Sequence, residues 1–200
     1  MPTPSLAVLK ITLDDVEPKV MRRIVVPADI RLDRLHLVIQ AAMGWTNSHL
    51  YEFRIGGAGW GIPDPDGLYE GPMDAGKMRL NVALAEAGRK TFSYLDDFGD
   101  SWSHAVKVEK IMPAIDGVAS YVLLDAAGRC PPEDCGGPPG YERLLEIITD
   151  PEDEEHEEML TWCGGPFDPN RADLPALQAD LERTTRRWAP KSPATSKTRS

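Results

Sequence analysis

Residues 6–26 of the chain read LAVLKITLDDVEPKVMRRIVV, and this stretch decides how the fold begins. Its two ends, residues 6–13 and 20–26, are rich in the aliphatic and β-branched side chains that favour strands. Between them lies a short acidic segment that closes with Pro18, a composition typical of a turn. We therefore predict two strands joined as a hairpin, with Pro27 ending the second strand.

A helix and a third strand follow this hairpin. After Asp29 and before Gly44, apolar residues recur at the spacing of one helical face: Leu32, Leu35, Val38, Ile39, Ala42 and Met43. His36 lies off that face, so we expect it to be a partly exposed helix residue. Residues 45–55 then turn into a third strand. This order predicts an α+β fold with a β-grasp-like or α/β-roll-like start, in which helices pack on a mixed sheet.

The rest of the chain alternates between loops, strands and helices. Residues 56–76 contain many Gly, Pro and Asp residues, which predicts one long loop. Beyond it, β-type sequence predicts three strands, at residues 90–95, 102–111 and 120–124. Apolar periodicity and turn signals predict helices at residues 140–148, 152–162 and 173–188. The sheet is therefore expected to be followed by a helical C-terminal part.

Size and composition favour one domain. The 200 residues include 42% hydrophobic residues, which is enough for a single sizeable core. No apolar run approaches the roughly 20 residues that span a membrane, and the N-terminus lacks the features of a secretory signal. We expect a cytoplasmic protein without a membrane partner. Residues 1–187 would form the domain, and residues 188–200 a disordered basic tail.

Charge is unevenly spread along the chain. There are 22 basic and 32 acidic residues, a formal net charge of −10, yet the segment from Arg183 onward holds six basic residues and no acidic one. The body is therefore strongly acidic and repels a phosphate backbone. We expect contact with nucleic acid, if it occurs, to involve only the basic tail.

Two loops rich in Gly, Pro and carboxylates carry the candidate site. Residues 96–104 read DDFGDSWSH, and residues 130–140 read CPPEDCGGPPG. Gly and Pro at this density indicate defined backbone geometry, and polar side chains on defined loops are where sites usually lie. We expect the two loops to face each other at one end of the sheet.

The candidate ligand-binding residues come from these loops and from the turn after the first helix. Trp45, Trp102 and Tyr141 would offer flat contact surface. The side chains that would fix polar partners are His49, Asp97, Asp100, His104, Glu133 and Asp134. The residues alone assign no catalytic role to any of them.

The cysteines allow one metal-binding interpretation. The count of three is odd and the chain shows no export signal, so reduced thiols are expected. Thiolates and imidazoles are zinc ligands, and the candidate set is His104, Cys130 and Cys135, with Cys163 and His49 as further candidates. Apart from such a metal ion, no cofactor is expected.

The carboxylates of the two loops allow a second metal interpretation and a structural one. Oxygen ligands from Asp97, Asp100, Glu133 and Asp134 would suit a hard cation. In the structural interpretation Asp100 caps a turn, and Glu133 and Asp134 accept backbone N–H groups. Cys130 would then pack as a small hydrophobic residue.

A series of short motifs extends along residues 6–182. In chain order they are LKITL, Arg22-Arg23, Val26-Pro27, Leu35-His36, Met43-Gly44-Trp45, His49-Leu50, Asp97-Phe98-Gly99-Asp100-Ser101-Trp102 with His104, Cys130-Pro131-Pro132-Glu133-Asp134, Gly136-Gly137, Gly140-Tyr141, Trp162 and Phe167-Asp168-Pro169. Together they resemble the plasmid pRiA4b ORF-3-like family of small bacterial, archaeal and mobile-element-associated proteins. The resemblance implies an α+β roll-type domain and an association with plasmids or transposons, and it implies no particular reaction.

The chain departs from the family pattern at two positions. Met21 stands where the pattern commonly has a Trp before the paired arginines, and Tyr51 stands where it often has a second His after His49. If those two histidines form a metal pair in other members, this chain lacks one of the ligands.

Three hypotheses about function follow from these features. The first is a non-enzymatic binding or interaction module for a protein or small ligand, with its site between the 97–104 loop and the 130–141 loop. The second is a metal-assisted hydrolase or nuclease that uses the loop carboxylates with His104 as ligand or general base. The third is an accessory protein of plasmid or transposon DNA, in contact with DNA through its tail.

Overall fold

Eight strands form one mixed sheet in the computed structural model, which describes residues 4–64, 66–67, 71–114 and 119–188. The strands are β1 Ser5–Leu13, β2 Met21–Pro27, β3 Tyr51–Ile55, β4 Ala58–Gly61, β5 Met73–Asp74, β6 Thr91–Asp96, β7 Trp102–Pro113 and β8 Val122–Ala127. Their order across the sheet is β5-β4-β3-β6-β7-β1-β2-β8. Only β4 and β5 run parallel, and each other neighbouring pair is antiparallel.

Five α-helices and one short 3-10 helix accompany this sheet in the described ranges. The α-helices are α1 Leu32–Met43, α2 Leu80–Ala87, α3 Gly137–Thr149, α4 His156–Trp162 and α5 Leu174–Thr185, and the 3-10 helix is Ala75–Lys77. Helix α5 packs on α1 and on β8, while α3 and α4 pack on each other. The predicted α+β fold, with helices on a mixed sheet and a helical C-terminal part, is confirmed.

The core lies between one face of the sheet and the helices. Alternation along β1 places Leu9, Ile11 and Leu13 in this core. Alternation along β7 does the same for Trp102, His104, Val106 and Val108. A second, small cluster on the opposite face of the sheet contains Leu6, Val8 and Val25. The predicted hairpin is formed by β1 and β2, which pair from Leu6 and Pro27 to Thr12 and Met21.

The prediction of one long loop at residues 56–76 is wrong. This stretch holds β4, β5 and the start of the 3-10 helix, although part of it lies outside the described residues. Glycine has a packing role here, because a Cβ at Gly61 would overlap the carbonyl oxygen of Tyr51 on the paired strand β3. A glycine-rich strand that needs such close approach is indistinguishable from a loop by composition alone.

The predicted exposure of His36 is also wrong, since only 3% of the residue is exposed. The ring of Tyr51 stacks on His36 with centroids 3.6 Å apart, and Gln40, one turn further along α1, is buried as well. Three further helix boundaries differ from the prediction. Helix α3 begins at Gly137, since prolines are tolerated in a first turn, α4 begins at His156, and α5 ends at Thr185.

The C-terminal helix closes one edge of the sheet. The backbone N–H of Leu123 in β8 donates to the Gln178 side-chain oxygen of α5 at 2.7 Å. Trp188, placed by the sequence in the tail, packs against Tyr121 and lies under the guanidinium of Arg34. Residues 189–200 lie outside the described residues, so the disordered tail stays a prediction. None of the described helices has the length and apolar composition that crossing a membrane requires.

Candidate functional site

The two predicted loops meet, as expected. The Asp100 carboxylate accepts a hydrogen bond from the backbone N–H of Gly136 at 3.0 Å. Gly137 follows with φ of 69°, and a Cβ there would overlap the carbonyl oxygen of Asp100. A residue without a side chain is therefore needed for the 97–104 loop and the 130–141 loop to touch backbone to backbone.

His49 joins the same two loops. Its Nδ1 lies 3.4 Å from the Asp97 carboxylate, and its Nε2 lies 3.4 Å from the Asp134 carboxylate. Within the described ranges, these residues are the only group of three possible metal ligands whose ligand atoms all lie within 4.8 Å of one another. However, each carboxylate faces a different ring nitrogen, whereas a metal ion binds one nitrogen of an imidazole. The geometry is that of a histidine bridging two loops.

The structure does not bring His104 together with Cys130 and Cys135 as a metal set. His104 is fully buried, and its Nδ1 lies 3.2 Å from the Tyr94 carbonyl oxygen and 3.1 Å from that of Trp102. The thiol of Cys130 is buried in the core, as the structural interpretation expected. Burial raises the pKa of Cys135 to about 12, so this thiol is protonated at neutral pH.

The carboxylate set for a hard cation is likewise dispersed. Asp100 accepts from Gly136, and Glu133 accepts from both the backbone N–H and the hydroxyl of Thr46, at 3.0 and 2.6 Å. Asp97 and Asp134 face His49 instead. Glu133 therefore accepts a backbone N–H group, as the structural interpretation expected, whereas Asp100 bonds to the other loop instead of capping its own turn.

The expectation of an exposed aromatic contact surface is wrong. Trp102 and Tyr141 are buried, because β7 directs Trp102 to the core face and Tyr141 lies on the buried face of α3. Trp45 is also buried, and its Nε1–H donates to the carbonyl oxygen of Pro131 at 2.9 Å. Trp45 thus fixes the end of α1 to the 130–141 loop.

Trp45 lines a cavity of about 730 Å³. Five parts of the chain line it: Arg22 of β2, residues 43–45 at the end of α1, residues 129–133, residues 162–168, and residues 171–177 around the start of α5. The apolar lining includes Met43, Trp45, Trp162, Phe167 and Leu177. We call this space the Arg22 cavity, because the side chain of Arg22 reaches it from β2.

Arg22 is 1% exposed and is held by carbonyl oxygens. Its Nε–H donates to the carbonyl of Ala42 at 2.7 Å, near the end of α1. Its Nη1 donates to the carbonyls of Met21, Ala127 and Gly128 at 2.8, 2.9 and 3.0 Å. Burial lowers the pKa of Arg22 from its usual range. Arg22 therefore connects α1 with the ends of β2 and β8 at the cavity.

Sequence reasoning missed this arginine, although the sequence contains a signal for it. Arg22 is two residues from Val20 and two from Ile24, both buried. Strand alternation therefore places Arg22 on the core face and its neighbour Arg23 on the other face. Arg23 forms ion pairs there with Glu109 and Asp125. Arg129 and Arg171, which also line the cavity, carry no comparable signal.

A second buried polar cluster surrounds the hydroxyl of Tyr94. This hydroxyl donates to Asp96 at 2.9 Å, accepts from the Gln40 amide at 3.0 Å and lies 2.8 Å from Nδ1 of His36. The side-chain amide of Asn47 contacts the other ring nitrogen of His36. Burial raises the pKa of Asp96 to about 6 and lowers that of His36 to about 4. We call these residues the Tyr94 network.

Fold and site together define a class: a two-layer α+β protein with two interlocked Gly-Pro loops and a cavity that a buried arginine reaches. The chain belongs to the plasmid pRiA4b ORF-3-like protein family, whose pattern matches residues 5–176. The family named by the sequence motifs is thereby confirmed.

Two relatives match over nearly their whole length. The uncharacterized protein y4hQ of Sinorhizobium fredii is 50% identical over 189 residues, which is 94% of this chain and 96% of the relative. The crystal structure of MM3350, a protein of unknown function from Methanosarcina mazei, superposes with a TM-score of 0.78 at 32% identity. It covers 87% of this chain and 98% of its own. Neither relative carries a description of what it binds or does.

Proposed function

We propose that this protein is a non-enzymatic binding module that takes a small organic ligand into the Arg22 cavity. The observation that carries the proposal is the cavity itself. Its volume of about 730 Å³ is that of a typical ligand pocket, and aromatic and aliphatic side chains line it around a few polar groups. Such a lining binds the body of a ligand by burying apolar surface, while the polar groups fix its orientation.

The proposed site adjoins the one expected from the sequence. Trp45 and Glu133 belong to both. Among the remaining candidates, the rings of Trp102 and His104 approach that of Trp45 without lining the cavity, and Asp100 and His49 hold the two loops together. In this proposal the interlocked loops support one wall of the cavity, and the ligand contacts the Trp45 side of that wall.

The chemistry of the cavity lining supports binding over reaction. Burial raises the pKa of both Cys130 and Cys163, so these thiols are poor nucleophiles at neutral pH. The Glu133 carboxylate is held in place at Oε2 by the backbone N–H and hydroxyl of Thr46, and its buried Oε1 has no partner among the described residues. The histidines closest to the loops, His49 and His104, are not part of the lining. The hydrolase hypothesis relied on His104 as ligand or general base, and the described lining of the cavity contains no histidine.

The proposal is tested by blocking the cavity. Ala176 and Ala179 are both exposed residues of α5, and of the two only Ala176 lines the cavity. Ligand-observed NMR is recorded for a library of neutral, anionic and cationic fragments with the wild type, Ala176→Trp and Ala179→Trp. We expect fragments whose signal is lost with Ala176→Trp and kept with Ala179→Trp. A library in which no fragment distinguishes the two variants would contradict the proposal.

A further inference from the structure

We infer that the ligand of the Arg22 cavity carries an anionic group, a carboxylate or phosphate, whose oxygens bind the free edge of the Arg22 guanidinium. This inference rests on the proposed function and specifies the class of ligand. It follows from four features of the cavity: a buried charge, a donor left open, two further arginines and the position of the nearby carboxylates.

The first feature is the uncompensated charge of Arg22. Taking a guanidinium out of water is costly unless an opposite charge accompanies it. Its four hydrogen bonds go to carbonyl oxygens, which orient the group but carry only partial charge. No carboxylate in the described part of the chain pairs with it. An anion entering the cavity would supply the missing charge.

The second feature is the donor that remains. The hydrogen bonds of Arg22 use Nε and Nη1, and none of them involves Nη2. A guanidinium presents its donors in a rigid planar fork that matches the oxygens of a carboxylate or phosphate. Because Arg22 lines the cavity, Nη2 is positioned to donate to a ligand there.

The third feature is the presence of two further arginines. Arg129 and Arg171 line the same cavity, and within the described ranges neither forms an ion pair, although the chain carries a net charge of −10. The guanidinium of Arg129 lies 4.2 Å above the Phe167 ring, and its Nη1 donates to the Pro166 carbonyl at 3.2 Å. Arg129 is thereby held at the wall beside an aromatic ring, an arrangement suited to a flat anion.

The fourth feature is the position of the carboxylates that also line the cavity. Asp168 and Asp173 are exposed, and each accepts a local backbone N–H, from Asn170 at 3.0 Å and from Ala176 at 3.1 Å. Their charges are in contact with solvent and are screened, whereas the charge of Arg22 is not. Glu133, the third carboxylate, accepts from Thr46 through Oε2, and its Oε1 is buried without a hydrogen-bond partner among the described residues. Of the charged residues that line the cavity, Arg22 is therefore the most completely buried.

The test compares carboxylates with their uncharged amides. Three pairs of probes share size and shape: 2-naphthoate with 2-naphthamide, benzoate with benzamide, and indole-3-carboxylate with its carboxamide. Calorimetric titration at low salt is expected to show at least one carboxylate that binds about 10-fold more tightly than its amide, a preference that falls as salt is added. If no carboxylate binds more tightly than its amide, the inference is overturned.

Arginine variants test whether the preference for a carboxylate over its amide comes from the arginines that line the cavity. Arg171→Gln removes an exposed guanidinium at the cavity, and Arg186→Gln removes an exposed one outside its lining. Affinity for the preferred carboxylate is expected to fall several-fold with Arg171→Gln and to stay unchanged with Arg186→Gln, while affinity for the amide changes in neither. Equal effects of the two variants would show that the preference is a general effect of charge, contrary to the inference.

Replacing Arg22 is expected to destabilise the fold as well as the site, so its role in binding is read in the wild type. In protein labelled with 15N-arginine, the Nε resonance of Arg22 should shift on addition of the preferred carboxylate and stay in place with its amide. An unchanged Arg22 resonance at saturation would remove Arg22 from the site. The fragment screen with Ala176→Trp separates the two claims, because cavity-binding fragments without a preference for anions would overturn this inference alone.

Discussion

The Tyr94 network and the Arg22 cavity are both buried polar regions beside α1, yet they differ in how completely their donors and acceptors are used. In the network, His36, Gln40, Tyr94 and Asp96 bond to one another, and the Tyr94 hydroxyl has three partners. In the cavity, Arg22 bonds to four carbonyls and still has Nη2 unused within the described ranges. A closed set of partners indicates a structural role, and an open donor facing a cavity indicates a ligand.

The largest effect is expected from Arg22→Met. This change removes the Arg22 donor from four carbonyl oxygens, two in buried and two in part-buried hydrogen bonds, and should lower the free energy of unfolding by about 4 kcal/mol. Urea denaturation measures it. The matched control is Arg23→Met, which removes exposed ion pairs with Glu109 and Asp125 and should have a much smaller effect. Similar losses in the two variants would mean that Arg22 does not hold the cavity wall together.

The next largest effect concerns how the free energy of unfolding depends on pH, to which Asp96 contributes. Burial raises its pKa to about 6, so between about pH 4 and 6 the folded protein binds a proton that the unfolded chain has released. This group alone therefore makes stability fall as pH rises through that range. His36 and His104 act in the opposite direction, because burial lowers the pKa of each to about 4 and stability rises towards pH 6.5.

Asp96→Asn removes the contribution of Asp96 to the pH dependence of stability and leaves that of His36 and His104. Stability should then rise between pH 4 and 6.5 by about 2–3 kcal/mol more than it does in the wild type. Urea denaturation across this range is the measurement, with the exposed Asp66→Asn as a control that keeps the wild-type profile. A parallel profile for Asp96→Asn would show that Asp96 titrates as it does in the unfolded chain.

A smaller effect is expected from Tyr94→Phe. The ring packing is kept, but His36, Gln40 and Asp96 each lose a partner, which should cost about 2 kcal/mol in the free energy of unfolding. The control is Tyr121→Phe, because the half-buried Tyr121 packs on Trp188 through its ring. If thermal or urea unfolding does not distinguish the two variants, the network is not the closed structural unit described above.

The smallest effect is expected from Trp45→Phe, at the boundary of both regions. Trp45 lines the cavity and approaches His104 edge-on, with ring centroids 5.5 Å apart. Phenylalanine keeps much of the packing and loses the hydrogen bond to Pro131, at a cost of about 1 kcal/mol. Fragment binding should weaken while the pH profile stays that of the wild type. A changed pH profile with intact binding would link Trp45 to the Tyr94 network instead.

The sequence predicted the parts of this fold that depend on local periodicity. The hairpin, α1 and the alternation of β7 follow from repeated apolar residues, and the contact between the two loops followed from their Gly and Pro content. His36 and the strands within residues 56–76 were missed because their environments come from distant partners, such as Tyr51 and Tyr94. The periodicity of apolar residues predicts which face of a helix or strand packs on the core. It does not predict whether another part of the chain also buries the remaining faces.

The candidate site was predicted less well than the fold. The composition of the two loops predicted that they carry a site, but it did not predict the cavity beside them. That cavity forms only where β2, α1 and α5 come together in the folded chain. Arg22 was detectable by its strand position, whereas Arg129 and Arg171 are ordinary surface residues in the sequence. The aromatic candidates failed for a physical reason, because large flat side chains that suit a binding surface also suit a core.

Helix α5 has a consequence for self-association. It covers β8, an edge strand whose outer N–H at Leu123 is bonded to Gln178. An uncovered edge strand presents unpaired backbone groups to the edges of other molecules. Loss of this helix would therefore leave the edge of β8 free to pair with a strand of another molecule. The same loss would remove Ala176 and Leu177 from the lining of the cavity. A chain shortened at residue 172 should thus form dimers or larger assemblies in the same preparation in which it no longer binds ligand.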